Sequence, residues 1–149
     1  MVHVEDAGSR FDAPLEVVWR FVSSGDGHSA AHGHRRNARE RLSENSGRYS
    51  WEQEFEGSAT RFTMIWTAFP PTGIAYRVIE GPFDGSVFFL YYTPEGPRTG
   101  VTVVGEFVSP TIPAERVAAS ALRFFAVEFE QDSAGLRRLL EAEALGGRT

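Results

Sequence analysis

The pattern of hydrophobic and polar residues divides the chain into a strand-rich main part and one long C-terminal helix. From Pro113 to about Leu145, bulky apolar residues recur at spacings of mostly three and four, with one gap of seven, which places them on a single helical face. Pro113 fits a first helical turn, and Gly146-Gly147 fits a helix end. The residues of this face are Ala118, Leu122, Phe125, Phe129, Leu136 and Leu140. A helix with such a face requires a large apolar surface, which the preceding residues must supply.

Upstream of the helix, short segments alternate between apolar and polar positions, as the residues of half-buried strands do. Turn residues such as Pro70-Pro71-Thr72-Gly73 separate these segments. A short helix is predicted over residues 15–22, and strands are predicted over residues 2–12, 48–56, 60–69, 74–80, 86–93 and 101–109. Runs of strands with separate helices predict an α+β fold, in a single domain that spans residues 1–149.

Residues 28–42 fit two different structures. His28 to His32 indicates one helical turn, which Gly33 would end. As a helix, His34 to Leu42 has good propensity but almost no apolar face. The turn-like residues 43–47 favour the alternative, an edge strand paired with the next strand. In that strand Ala38 and Leu42 would point inward, and the residues exposed to solvent would be Arg35, Asn37, Arg39 and Arg41.

Composition excludes several classes of protein. Without cysteine there is no disulfide framework and no thiolate metal site, and because all 15 basic residues are arginine there is no lysine Schiff base. The net charge of −5 argues against binding of nucleic acid. The longest apolar run, Val87 to Tyr92, has six residues, so no membrane span is expected. No secretory signal is evident, and we expect a cytoplasmic protein.

Three segments of the chain resemble the START/polyketide-cyclase superfamily (SRPBCC), and the resemblance covers nearly the whole sequence. The first is Phe11-x-Ala-Pro-x-x-x-Val-Trp-x-Phe, the second is the final strand-to-helix run, and the third is Ala75 to Phe83, which resembles bacterial aromatic polyketide aromatase/cyclases. The resemblance implies a helix-grip fold. In that fold a curved antiparallel sheet of about seven strands wraps around a long C-terminal helix, and two short helices follow the first strand.

For function, the resemblance implies a hydrophobic small molecule, polycyclic or acyl-type, bound in a cavity between the sheet and the C-terminal helix, with no cofactor. The protein would be a polyketide cyclase/dehydratase or, alternatively, a non-catalytic lipid or metabolite carrier. An interaction module of the coenzyme-Q-binding or toxin type is a further alternative. Aromatase/cyclases resembling this chain have an arginine late in the fourth strand and a tyrosine after the second short helix. Ala68 or Phe69 and about Arg36 stand there, so that activity is not expected in the same form.

Aromatic residues of the strands and the helix are the candidate ligand-binding surface, because ligand pockets are mostly apolar with a few polar anchors. The candidates are Trp51, Phe62, Met64, Trp66, Tyr76, Phe89, Tyr91, Phe124 and Phe125. Each could instead simply pack in the core. Arg77 and Glu106 match polar positions of the aromatase/cyclases and are the candidate catalytic acid and orienting base, although an ion pair between them or solvent exposure is the favoured explanation.

The C-terminal helix is expected to have two functions along its length. Polar residues interrupt the apolar face midway, from Glu128 to Gly135. We therefore expect Val117 to Phe129 to cover the cavity, and Leu136, Leu139 and Leu140 to pack against the sheet.

His28, His32 and His34 form an H-x3-H-x-H cluster. Since His28 and His32 lie four residues apart on a helical turn, both could reach one metal ion, with His34 or Glu40 as the third ligand. The stretch is flanked by glycine, rich in charge and without the glutamate of an H-E-x-x-H motif. We therefore assign no metal site here and favour a pH-sensitive lid over the cavity mouth.

Four arginines form a basic patch on this acidic chain. Without interleaved exposed aromatic residues the patch does not indicate nucleic-acid binding, and a charged edge strand explains it. Contact with an acidic carrier protein that bears the substrate is the alternative, and the sequence does not indicate an oligomeric state. The four residues are Arg35, Arg36, Arg39 and Arg41.

Overall fold

The structure is a computed structural model that describes residues 1–146. In chain order the elements of this part of the chain are β1 (Val2–Phe11), α1 (Leu15–Val22), α2 (Asp26–Ala31), β2 (Arg35–Ser43), β3 (Ser46–Phe55), β4 (Ser58–Phe69), β5 (Gly73–Glu80), β6 (Val87–Glu95), β7 (Arg98–Phe107) and α3 (Ala114–Gly146). Gly147, part of the predicted helix end, lies outside the described residues. None of the helices described is both long and apolar enough to cross a membrane.

The seven strands form one curved antiparallel sheet in the order β1-β7-β6-β5-β4-β3-β2. From β2 to β7 each strand pairs with its neighbour in sequence, and β1 pairs with β7. The helix α3 packs on the concave face of this sheet, and α1 and α2 pack against α3. This arrangement confirms the predicted α+β class, with two short helices after the first strand and a long helix at the C-terminal end.

The buried face of α3 differs from the predicted one at two places. Leu122 is 41% exposed, because the buried face follows a spacing of four through Val117, Ala121, Phe125 and Phe129. The gap of seven between Phe129 and Leu136 is filled by Asp132, which is only 7% exposed. The buried face of α3 therefore continues from Phe129 to Leu136 without a gap, and it includes the carboxylate of Asp132.

Gly135 allows the short helices to approach α3 closely. A Cβ atom at this position would lie 2.6 Å from Cζ of Phe21 in α1 and 3.0 Å from Cβ of Ala31 in α2. Real Cβ atoms essentially never make contacts under 3.0 Å, so a side chain at this position would require Phe21 or the neighbouring helices to shift. The glycine thereby determines how near α2 lies to the middle of α3.

We expect Gly135→Leu to lower the free energy of unfolding by about 1–3 kcal/mol, measured by urea denaturation. Leucine favours a helix more than glycine does, but the leucine side chain would overlap the Phe21 ring and force α1 away from α3. The control is Ala126→Leu on the exposed side of the same helix, where little change is expected. Equal stability of the two variants would contradict the proposed close packing at Gly135.

In the edge strand β2, Arg39 and Leu42 do not point to the faces of the sheet that were predicted for them. Arg39 lies opposite Tyr49, and its guanidinium carbon is 4.7 Å from the centre of the Tyr49 ring, while Leu42 is 50% exposed. The register shifts between Arg35 and Ala38, where Arg36 has a positive φ of 52°. This bulge displaces the alternation along the strand, so Arg39 points toward the concave side of the sheet.

Candidate functional site

A cavity of about 480 Å³ lies between the concave face of the sheet and α3. Its volume is in the range of about 300–1,000 Å³ that is typical of small-molecule pockets. Because alternate residues of a strand point to the same face, β4, β5 and β6 each contribute every second side chain to the wall. These apolar wall residues include Met64, Trp66, Ala68, Ile74, Tyr76, Phe88, Leu90 and Tyr92.

One wall of the cavity carries a polar cluster, the histidine–carboxylate cluster of His28, His32, Glu128 and Asp132. Nε2 of His32 lies 2.8 Å from Oδ1 of Asp132, and Nε2 of His28 lies 2.9 Å from the same oxygen. On the other side of the ring, Nδ1 of His32 lies 3.0 Å from Oε2 of Glu128. In both helical segments the two residues are four apart, so each pair shares one helical face and the two faces meet.

Burial and hydrogen bonding have opposite effects on the pKa values of His32 and Asp132. Burial disfavours the charged form of His32, but hydrogen bonds to Asp132 and Glu128 outweigh it and raise the pKa of His32 to about 11. Burial likewise opposes ionisation of Asp132, but hydrogen bonds from His28 and His32 lower the pKa of this carboxyl below its usual value. The cluster therefore holds an imidazolium and a carboxylate side by side in an otherwise apolar cavity.

A second polar group borders the cluster and connects it to β2 and β3. Nδ1 of His34 lies 2.8 Å from the Tyr49 hydroxyl, which donates a 2.9 Å hydrogen bond to Oγ of Ser29. The guanidinium of Arg39 also donates to Oγ of Ser29. Burial, together with the nearby charge of His32, lowers the pKa of His34 to about 3, so this imidazole is neutral.

The sequence matches no family model and no curated protein. Solved structures match over almost the whole chain. The Zhui aromatase/cyclase from Streptomyces sp. R1128 has a TM-score of 0.77 at 16% identity, covering 93% of this chain and 95% of that chain. A START superfamily protein from Mycobacterium smegmatis has a TM-score of 0.69 at 15% identity, with 92% and 98% covered. The protein Ara h 8.0201 has a TM-score of 0.69 at 12% identity, also with 92% and 98% covered.

This chain has the helix-grip fold of the START/polyketide-cyclase superfamily. The fold predicted from the sequence resemblance is thereby confirmed. At these identities the likeness defines the fold, and the chemistry of the site has to be argued from this chain's own residues.

The helix-grip fold brings most of the predicted ligand-binding residues together. Those that line the cavity are Trp51, Met64, Trp66, Tyr76, Phe124 and Phe125. Phe62 does not line it, because its side chain is fully buried beneath Trp51, with the two ring centres 5.2 Å apart. Within the segment of α3 predicted to cover the cavity, Phe124, Phe125 and Phe129 line it, and the lining extends beyond the predicted end to Asp132.

Phe89 and Tyr91 lie on the convex face, and the expectation that they share the surface of Trp51 has to be corrected. Their rings stack on each other with centres 5.8 Å apart, and Phe89 also contacts Phe69 at 6.0 Å. The strand β6 is apolar on both faces, so its sequence did not indicate which set points inward. The set that faces the cavity is Phe88, Leu90 and Tyr92.

Arg77 and Glu106, the predicted catalytic pair, also lie on the convex face. Arg77 pairs with Val87 and Val87 pairs with Glu106, so the three residues form one row across β5, β6 and β7. Arg77 is exposed, and Oε1 of Glu106 lies 3.0 Å from Nδ1 of His3. The sheet separates this row from the cavity, because adjacent residues of a strand point to opposite faces.

The residues that make the polar wall, apart from the histidines, were not predicted from the sequence. Asp132 and Glu128 were expected only to interrupt an apolar helix face, and Arg39 was expected in solvent. The sequence nevertheless contained a signal for this cluster. His28 and His32 are four residues apart, as are Glu128 and Asp132, and Asp132 falls within the gap of the apolar stripe.

Proposed function

We propose that this protein binds a hydrophobic small molecule with a polar oxygen in the cavity between its sheet and α3. The observation that carries this proposal is a cavity of about 480 Å³ with aromatic walls on the sheet side and a histidine–carboxylate cluster on the helix side. Small-molecule pockets combine apolar walls with a few polar groups that orient the ligand. Simple core packing would not require a buried imidazole and carboxylate at such a wall.

The walls suggest how the ligand is held. Trp51, Trp66 and Tyr76 offer flat apolar surfaces, and Phe125 faces them from α3. A ligand with an aromatic or acyl body would lie between these side chains, with its oxygen toward the histidine–carboxylate cluster. The mouth of the cavity is bordered by exposed polar residues of β2, the following turn and the start of β3, which are Glu40, Arg41, Glu44, Asn45 and Arg48.

Tryptophan fluorescence provides a direct test, because all three tryptophans of the chain, Trp19, Trp51 and Trp66, line the cavity. We expect titration with emodin, a tricyclic aromatic ketone, or with palmitate, an acyl chain, to change this fluorescence saturably. Ala68→Phe places a ring inside the cavity and should weaken binding at least about tenfold, which corresponds to about 1.4 kcal/mol.

Ala75→Phe is the matched control for this test. It makes the same change in β5, on the convex face, where it leaves the cavity unaltered. Binding should be retained in the control. Equal loss in both variants, or no saturable signal with either ligand, would contradict the proposed binding site.

The histidine–carboxylate cluster supports a second candidate function, a cyclase or dehydratase. Both reactions need protons to be moved between carbon and oxygen, and the cluster places imidazole and carboxylate groups, which can donate and accept protons, at the cavity wall. We expect the protein to convert a linear poly-β-keto thioester into cyclised or dehydrated products, and His28→Gln to abolish this while emodin still binds. If the product mixture is the same with and without wild-type protein, the cyclase or dehydratase function is contradicted. Chromatography with mass spectrometry measures the products.

A further inference from the structure

Two imidazole nitrogens and one carboxylate oxygen of the histidine–carboxylate cluster form a small triangle. Nε2 of His28 and Nε2 of His32 lie 2.9 and 2.8 Å from Oδ1 of Asp132, and the two nitrogens lie 3.1 Å from each other. All three residues line the cavity, and His32 and Asp132 are buried. His28 and His32 come from α2 and its C-terminal end, and Asp132 comes from α3, so two separate elements supply the triangle.

Hydrogen bonds alone do not satisfy all three sides of this triangle. Each imidazole nitrogen carries at most one proton, and an ionised carboxylate carries none. At most two protons can therefore lie between three atoms, and the remaining side brings together two N–H groups or two lone pairs. Such a contact is unfavourable in a buried wall, where water does not screen it. A cation bound to all three atoms removes the conflict.

The dimensions of the triangle agree with metal coordination. Metal–nitrogen and metal–oxygen bonds to zinc are about 2.0–2.2 Å long, so ligands at right angles to one another lie about 3.0 Å apart and tetrahedral ligands about 3.4 Å apart. The three separations of 2.8, 2.9 and 3.1 Å match the first geometry. The donors would then occupy one face of the metal, and the opposite face would remain open.

We propose that His28 Nε2, His32 Nε2 and Asp132 Oδ1 together bind one divalent ion of a first-row transition metal. Two histidines and a carboxylate with open positions form a ligand set that holds non-haem Fe²⁺ in some enzymes and catalytic Zn²⁺ in others.

The surroundings of the triangle support this assignment. A metal-bound histidine usually donates its other N–H to a carboxylate or carbonyl oxygen. Here Nδ1 of His32 lies 3.0 Å from Oε2 of Glu128 and 2.7 Å from Oε1 of Gln131, which is the expected outer shell. When the ion binds, the proton on Nε2 of His32 leaves to water, and the divalent ion then balances the negative charges of Glu128 and Asp132.

Because His28, His32 and Asp132 all line the cavity, open coordination positions on the ion would be within reach of a bound ligand, and this gives the ion a role in the proposed function. The role rests on that function, whereas metal binding itself does not. A ligand oxygen, such as that of a ketone or carboxylate, would complete the coordination while the body of the ligand lies between the aromatic walls. The ion would then polarise that oxygen as a Lewis acid. The side chain of His28 is 25% exposed, which leaves a path for the ion to enter.

The test is metal binding by the full chain, purified without a histidine tag and without organic ligand. Protein freed of metal by a chelator is titrated with Co²⁺, whose visible absorption reports coordination, and zinc content after dialysis is measured by elemental analysis. We expect one equivalent of each metal. His28→Gln and Asp132→Asn should weaken binding more than about 100-fold, and Glu128→Gln should weaken it by about 10–100-fold as an outer-shell change.

His3→Gln is the matched control, because His3 is an exposed histidine on β1, beside Glu5 and Glu106 and outside the cluster. It should leave Co²⁺ binding unchanged, and circular dichroism should show that each variant is folded. A wild-type protein that retains no metal, or a His28→Gln variant with unchanged affinity, would overturn the proposal. Loss of binding in His34→Gln with retention in Asp132→Asn would also overturn it, since it would assign the ion to His32, His34 and Glu128 instead. None of these results depends on whether emodin or palmitate binds.

Discussion

Asp132→Ala is expected to lower the free energy of unfolding of the metal-free protein by about 3 kcal/mol. Asp132 is 7% exposed and accepts hydrogen bonds from both His28 and His32. Without the Asp132 carboxylate, the buried and positively charged His32 loses one of its two acidic partners. Because Glu128 still contacts Nδ1 of His32, we expect the lower end of the range of about 3–5 kcal/mol that is typical when one partner of a buried ion pair is removed.

Urea denaturation at neutral pH, with a chelator present, measures this effect. The matched control is Asp26→Ala, which removes the carboxylate of an exposed pair. The side chain of Asp26 is 98% exposed and lies 3.0 Å from Arg39, so the loss should be at most about 1 kcal/mol. If Asp132→Ala were no more destabilising than Asp26→Ala, the buried ion pair between α2 and α3 would not contribute to stability as described.

Phe125→Ala is expected to lower the free energy of unfolding by about 3–5 kcal/mol. Phe125 is 3% exposed, and its ring packs edge-to-face against Phe88 of β6 and Phe107 of β7, with ring centres 5.0 and 5.8 Å apart. It therefore joins α3 to β6 and β7 of the sheet. Truncation to alanine removes these contacts and enlarges the cavity that Phe125 borders.

Phe69→Ala makes the same chemical change on the convex face and serves as the control. Phe69 is 51% exposed and contacts Phe89 at a ring-centre distance of 6.0 Å, so its truncation should cost about 1 kcal/mol or less. Thermal and urea denaturation of the two variants compare them directly. Similar losses in both would mean that Phe125 is not part of the contact that holds α3 to the sheet.

Much of the fold could be predicted from the sequence because local signals were strong. Strands such as residues 60–69 alternate between apolar and polar positions, and the glycine and proline turns between strands are clear. The C-terminal helix was predicted over nearly its whole length. The bulge at Arg36 could not be predicted, because it depends on how β2 pairs with β3, and it reversed the expected directions of Arg39 and Leu42.

The candidate site was only partly predictable, for a related reason. The alternation of apolar and polar residues shows which residues share a face of their strand with Trp51, Met64 or Tyr76. It does not indicate which face of the sheet becomes concave. For β6, apolar on both faces, the wrong set was expected inside, and Phe89 was among it. The polar wall required a contact between residues about 100 positions apart, such as His32 and Asp132, and only tertiary structure brings these together.

A crystal structure of the complex with emodin tests the central claim, a ligand site between the sheet and α3, most directly. We predict electron density for emodin among Trp51, Trp66, Tyr76 and Phe125, with one of its oxygen atoms toward the histidine–carboxylate cluster. Emodin seated instead in the shallow depression of the convex face, beside Arg77, Phe89 and Glu106, would contradict the account.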